Sequence, residues 1–371
     1  MRPKHGLVLG KFYPPHAGHH LLIRTAARAC ERVTVLALAA STEGLPLELR
    51  VAWLREIHSP APNVSVIGGI DEVPVDYADA KIWDLHMAVF RALLERAGAP
   101  AVDAVFTSEP SGDELARRFG ARHISLDVER GLVPVSGTAL RADPVGHWEW
   151  LEPPVRGYLA KRLVILGAES TGKTTLARAL RDALAARGGA FAETRWVPEF
   201  GREYTVEKLA LARSDSAWRG LPAPGMDDLV WTTDDFVAIA RRQNELEERE
   251  ARVGGPVLVC DTDAFATAVW HERYRRARAR EVESLADPRR RLYLVTHPDD
   301  VPFAQDDIRD GEHLRTWMTD VFVERLRASP HRFEFLRGSR AERVVRACAA
   351  LDRWLYEGFA KEFVDAPRGL G

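Results

Sequence analysis

Apolar residues fall into two repeating patterns along this chain. Short, nearly continuous runs occur at residues 6–10 (GLVLG), 33–38 (VTVLAL), 64–67 (VSVI), 104–107 (AVFT), 162–166 (RLVIL), 256–260 (PVLVC) and 292–295 (LYLV). Their length and β-branched content predict strands buried on both faces. Between them lie longer segments whose apolar positions recur three and four apart, the helical period. The predicted helices cover residues 21–27, 47–57, 81–97, 175–180, 227–252 and 340–363. In 81–97 the apolar face is Ile82, Leu85, Val89, Leu93 and Leu94; in 47–57, Glu48, Arg50 and Arg55 mark the polar side. Residues 191–197 read as a further strand-like stretch. Strands and helices in alternation predict an α/β fold, with parallel sheets flanked by helices. In such sheets ligands bind beyond the carboxyl ends of the strands.

With 371 residues the chain has room for two domains. The pattern breaks at 142–161, where Pro144, Pro153 and Pro154 stand beside Trp148 and Trp150. That composition predicts a packed connector rather than a flexible tether. The expected domains are therefore 1–155 and 156–371. Composition adds little: 46% hydrophobic and 29% charged residues are ordinary for a globular protein. A net charge of −2 implies no global attraction to nucleic acid. Cys30, Cys260 and Cys348 are far apart and show no metal or disulfide spacing. No signal-peptide core follows Met1, and no apolar run approaches a membrane helix. The expected location is the cytoplasm, with no membrane partner; a homo-oligomer is compatible with the sequence.

The most specific motif is Gly167-Ala168-Glu169-Ser170-Thr171-Gly172-Lys173-Thr174, which reads G-x-x-x-x-G-K-T. A strand precedes it and a helix beginning near Thr175 follows, the context a phosphate-binding loop requires. Glycines let successive N–H groups point at phosphate oxygens, and the helix adds its positive end. Lys173 supplies a full charge to the β/γ-phosphates of ATP, and Thr174 can ligate Mg²⁺. Downstream, 256–260 ends in Asp261, which looks like a Walker B acid holding Mg²⁺ opposite Thr174. Asp263 is expected to position a substrate. After the 191–197 stretch, Glu199 is a candidate base for a substrate hydroxyl, and Arg202 a candidate partner for the moving phosphate. Residues 306–311 look like a mobile lid that delivers Arg309, with Arg315 second. The basic run 273–280 reads as a solvated helix face, and the helix 227–252 carries solvated pairs with no chemistry assigned.

The first predicted strand also leads into a Gly/Pro-rich loop and a helix. Here the special residues are His16 and His19, three apart at the helix start, with Gly18 between them. Both imidazoles lie near one face of the first turn, where each can donate to one anion. Further along, Ser136 reads as a helix cap with Thr138 and Arg141 in the first turn. Two hydroxyls and a guanidinium at a helix start form a second anion-binding arrangement.

H-x-G-H after a first strand, followed by S-x-T-x-x-R, resembles the HxGH nucleotidyltransferase superfamily. The stretch Gly10-Lys11-Phe12-Tyr13-Pro14-Pro15-His16-Ala17-Gly18-His19 resembles its nicotinamide mononucleotide adenylyltransferases. The resemblance implies a Rossmann-like domain in which His16, His19 and Arg141 bind ATP phosphates. Ser136 and Thr138 add contacts, and Gly10, Lys11, Phe12 and Gly18 complete the ATP site. The usual pattern begins I-S where this chain has Val135-Ser136. Together with the P-loop half, the chain resembles the bifunctional NadR-type family, an adenylyltransferase fused to a ribosylnicotinamide kinase. Gly201-Arg202-Glu203-Tyr204 and Asp261-Thr262-Asp263 also resemble that kinase half. The implied kinase ATP site is Gly167, Glu169, Ser170, Thr171, Gly172, Lys173, Thr174, Thr175 and Arg309. The implied riboside site is Glu199, Arg202, Tyr204, Asp261 and Asp263. Implied partners are ATP, nicotinamide riboside, nicotinamide mononucleotide and NAD, with Mg²⁺ as cofactor. Some members carry a helix-turn-helix before the first strand; only a few residues stand there, so DNA-binding regulation is not expected. Two alternatives remain: the same two folds acting on other substrates, and a nucleotide-sensing regulator with an inactive site.

Overall fold

The computed structural model describes residues 2–363 except Tyr77, Arg290, Asp307 and Asp310. Its residues group into two compact units, Met1–Val155 with Phe359–Gly371, and Arg156–Gly358. The end of the last helix thus groups with the first unit, although the sequence pattern assigns it to the second.

The first unit runs β1 (His5–Gly10), α1 (Ala17–Ala29), β2 (Arg32–Ala39), α2 (Leu47–His58), β3 (Val64–Ile70), α3 (Ala80–Arg96), β4 (Ala104–Thr107), α4 (Gly112–Phe119), β5 (Arg122–Ser125) and α5 (Gly137–Ala142). Its strands pair in parallel in the order β3-β2-β1-β4-β5. The apolar runs are continuous because both faces of the sheet are covered. Alternate residues go to opposite sides. Val8, Val33, Val35 and Ala37 pack with Leu22, Ile23, Val51 and Leu54 of α1 and α2. Leu7, Leu36 and Leu38 pack with Trp83, Met87, Phe90 and Leu94 of α3 and Leu115 of α4. Trp148 is buried in this unit against Phe359.

The chain passes to the second unit through α6 (Pro153–Leu159). There follow β6 (Lys161–Leu166), α7 (Lys173–Ala185), β7 (Arg195–Val197), α8 (Phe200–Trp218), α9 (Thr233–Val253), β8 (Val257–Asp261), α10 (Ala264–Arg275), α11 (Arg280–Glu283), β9 (Leu292–Thr296), α12 (Arg315–Arg327), β10 (Arg332–Leu336) and α13 (Arg340–Glu362). The strand order is β10-β9-β6-β8-β7, again parallel. β6 lies between β9 and β8, with Ile165 opposite Asp261 in the register. The loop after β6 therefore starts beside the acid that ends β8.

Several local readings are corrected. Residues 189–193 form a 3-10 turn, leaving only 195–197 as strand. The helix expected from residue 227 begins at Thr233, where Thr232 and Asp235 form a capping box. β5 and β10 escape the pattern because they are short and half-exposed. Arg50, assigned to a polar face, is fully buried: it pairs with Glu43 at 2.7 Å and bonds the Leu45 and Lys11 carbonyls. Arg273, assigned to a solvated face, is buried as well.

Candidate active sites

At the end of β6 the chain turns through Gly167. A Cβ there would lie 2.1 Å from Thr296 Oγ1 and 2.6 Å from Thr171 Oγ1, so only glycine fits. Those two hydroxyls are 2.7 Å apart and tie the loop to β9. Gly172 takes φ 84°, which costs glycine little, and Ser170 takes φ 56°. The loop then delivers Lys173 as the first residue of α7, with Nζ donating to the Ala168 carbonyl at 3.0 Å. Thr174 Oγ1 donates to Asp261 Oδ2 at 2.5 Å. The other oxygen, Asp261 Oδ1, is buried with no hydrogen-bond partner among the described residues.

This loop forms one wall of a cavity of about 470 Å³. Residues 169–175 line it, with Glu199, Arg202, Asp261 and Arg309. The opposite wall is aromatic: Trp231 lies 5.3 Å from Phe236 and 5.0 Å from Tyr274, and Trp196 and Trp270 complete it. Burial pushes the carboxyls of Glu199 and Asp261 up from their ordinary values, and the Lys173 charge opposes the shift. The cavity thus joins a cationic phosphate cradle to an aromatic slot, with a proton-seeking carboxyl in its wall.

Several expected residues behave differently. Asp263 is not part of the lining. It caps α10 through Ala266 N–H and binds Arg291 and Tyr293 below the sheet, because its side chain leaves β8 toward the core. Tyr204 donates to Asp235 at 2.7 Å and backs Trp231 rather than facing the cavity. Glu169 accepts from Arg273 at 3.1 Å and from Gly311 N–H at 2.9 Å. Arg202 pairs with Asp306 at 2.5 Å. Arg315 binds the Ser170, Pro298 and Val301 carbonyls, so it braces the loop. In the stretch expected as a lid, Asp307 and Asp310 lie outside the described residues. Sequence reading missed Arg273, whose guanidinium also lies over Trp270 and Tyr274, and Arg343, which donates to the Thr171 carbonyl at 3.1 Å. It also missed Gln243 and Thr262, a β-branched residue at φ 75° beside Asp261. Their signal was the neighbouring motif only; no spacing marks them.

In the first unit the chain leaves β1 through Phe12 at φ 47°. The buried Phe12 ring rests 4.9 Å from His19. His16 is the N-cap of α1, and its ring lies 3.8 Å from that of His19. The His16 backbone N–H donates to His19 Nδ1 at 3.3 Å, which leaves the proton of a neutral His19 on Nε2. Burial lowers both imidazoles, His16 to about 4 and His19 well below its ordinary value. Near neutral pH each therefore offers one N–H and no charge. Positive charge comes from Arg130 and Arg141, both of which depress His16. A small cavity there is lined by His16, Gly18, His19, Arg130 and Gly137, among others. Arg130, with φ 53°, was not singled out in the sequence.

The two motifs of this unit meet. Ser136 caps α5 through Ala139 N–H at 3.0 Å, and Arg141 donates to the Tyr13 carbonyl at 2.9 Å and reaches Thr138 Oγ1 at 3.4 Å. Gly10, Lys11, Phe12, Ser136, Thr138 and Arg141 are not part of the small cavity's lining. Lys11 instead pairs with Glu43 at 2.8 Å.

Comparison with known proteins covers both units. Residues 162–343 match the family model described as an AAA domain. The trifunctional NAD biosynthesis/regulator protein NadR of Escherichia coli strain K12 is 24% identical over 350 residues, 90% of this chain and 78% of that protein. Its counterpart from Salmonella typhimurium strain LT2 is 23% identical over 319 residues, 82% and 71% respectively. Over most of its length the chain is therefore similar to NadR-type proteins. A NadR crystal structure in complex with NR, at 21% identity, superposes with a TM-score of 0.65 and covers 94% of this chain and 96% of that one. A NadR structure with NAD and AMP-PNP, at 19% identity, gives the same score and coverage. At these identities the superpositions establish that the NadR-type fold is shared.

Proposed function

We propose that this protein is a cytoplasmic, bifunctional NAD-salvage enzyme of the NadR type. Its second unit would transfer the γ-phosphoryl group of ATP to the 5′-hydroxyl of nicotinamide riboside. Its first unit would join the resulting mononucleotide to the adenylyl group of a second ATP. The observation that carries the reading is the pair of strand–loop–helix anion cradles on one chain, each with its motif residues present.

In the kinase reaction the riboside hydroxyl oxygen attacks the γ-phosphorus and ADP leaves. Glu199, its carboxyl raised by burial, accepts the hydroxyl proton. Lys173 and the N-terminal end of α7 hold the phosphates, and Arg178, Arg202 and Arg309 line the same cavity. Thr174 and the unpartnered Asp261 oxygen suit Mg²⁺, which keeps most of its ligands as water and phosphate oxygens. Bound there, the ion would neutralise charge on the β- and γ-phosphates. The aromatic wall suits a flat base.

In the transfer reaction a phosphate oxygen of the mononucleotide attacks the α-phosphorus of ATP. Pyrophosphate leaves and NAD forms. His16 and His19 donate one N–H each to the departing phosphates, while Arg130 and Arg141 supply charge.

Incubation with nicotinamide riboside, ATP and Mg²⁺ should yield mononucleotide and then NAD. Lys173→Ala should lower riboside phosphorylation by about 10²–10³-fold and spare NAD formation from the mononucleotide. His19→Ala should do the reverse. Loss of both activities from either change, with the fold intact, overturns the two-site reading.

A further inference from the structure

α9 presents Phe236, Ile239 and Gln243 to the kinase cavity. The first two continue its apolar wall, but Gln243 is a polar side chain only 1% exposed. Its Oε1 accepts the Phe200 backbone N–H at 3.0 Å. That bond settles which end of the amide faces which way, since an N–H must meet an oxygen. The amide nitrogen, Nε2, is therefore turned away from α8. It is buried and has no hydrogen-bond partner among the described residues.

A buried donor without an acceptor costs about 1–3 kcal/mol, so it calls for an explanation. The bond to Phe200 accounts for the amide oxygen of Gln243 and leaves its NH₂ group unexplained. The same wall repeats the imbalance. Trp196 and Trp231 also line this cavity, and their indole N–H groups are buried with no hydrogen-bond partner among the described residues. Three residues of a largely aromatic wall thus carry a buried donor with no partner among the described residues. A ligand that completes this wall brings oxygen acceptors, and an apolar one would leave all three unsatisfied.

We infer that Gln243 is a specificity-determining contact for the acceptor substrate, its Nε2–H donating to an uncharged oxygen, a hydroxyl or amide carbonyl, of that molecule. The same side chain holds the start of α8 in register through Phe200, next to Glu199. Substrate recognition and placement of the proton acceptor therefore share one amide. The inference rests on the kinase reading given above.

Gln243→Glu is the informative substitution, because it keeps an oxygen for Phe200 N–H and removes the NH₂ donor. With nicotinamide riboside as substrate, KM for the riboside should rise about 10–100-fold while KM for ATP moves less than about threefold. In the unaltered protein, ribosides lacking the 2′-hydroxyl, the 3′-hydroxyl or the carboxamide should be tested in turn. One of them should show the same loss, and that analogue should lose nothing more in Gln243→Glu. An unchanged riboside KM in the variant overturns the inference. So does equal use of all three analogues by the unaltered protein, a result that needs no variant to fold. If the unaltered protein phosphorylates no riboside at all, the kinase reading itself has failed.

Discussion

Glu199 and Asp261 face Lys173 across one cavity, and burial acts on each carboxyl in the same direction. A base raised above its ordinary value of 4.5 should impose an acid limb on riboside kcat/KM that lies above that pH. Glu199→Gln should remove the limb and lower kcat by about 10²–10⁴-fold, with nucleotide binding kept; a pH-rate profile with a parallel nucleotide titration checks both. A second buried ionic group lies outside the lining of that cavity. Arg291 bonds Glu247 at 2.8 Å and Asp263 at 3.1 Å, all nearly inaccessible. Arg291→Met would leave two buried carboxylates uncompensated and should destabilise the fold by about 3–5 kcal/mol, measurable by urea denaturation. Single residues also show where sequence reading stops. An arginine three or four places from other polar residues looks solvated, as Arg50 and Arg273 did. Only packing reveals that Arg50 ties down a loop and that Arg273 meets Glu169 of the phosphate loop.

Helix ends carry most of the placement at the level of elements. α1 begins just after His16, α7 at Lys173, α8 just after Glu199 and α10 just after Asp263, so four helix starts set the side chains discussed above. These starts were legible in the sequence for α1 and α7, where glycines and motif residues mark them. The start of α9 was misplaced because acidic residues at 227 and 228 resemble a first helical turn, whereas Thr232 and Asp235 form the actual capping box. At the other end, α10 stops at Arg276 with φ 53°, a left-handed conformation that suits glycine. Arg276 is exposed, so Arg276→Gly should raise stability by about 0.4–1 kcal/mol, seen as a higher midpoint in thermal unfolding.

For the whole molecule, buried histidines should set the response to acid. His16 and His58 are lowered from 6.5 to about 4, and His19 and His20 are lowered well below 6.5. His20 and His58 also share a 3.0 Å hydrogen bond, which is lost once both rings are protonated. The unfolded chain takes up a proton on His16 and His58 near pH 6.5, and the folded chain does not until about pH 4. Protons in that window bind the unfolded state more, so this stability is intact above pH 6.5 and is lost as pH falls toward 4. Thermal midpoints measured from pH 7.5 down to pH 5 should fall, and His58→Gln should flatten the decline.

The sequence alone determined the α/β class, the presence of two parallel sheets and the two loops that lead from a first strand into a helix. It could do so because continuous apolar runs and glycine-rich loops before helices are local consequences of backbone sterics and burial. It did not determine which polar side chains converge. Asp263 and Asp261 stand two residues apart at one strand end, yet one caps a helix below the sheet while the other faces the phosphate loop. Gln243, Arg130 and Arg343 come from distant parts of the chain and carry no motif. Their roles depend on strand order and on which face of a helix meets a cavity, and those are decided only when the sheets assemble.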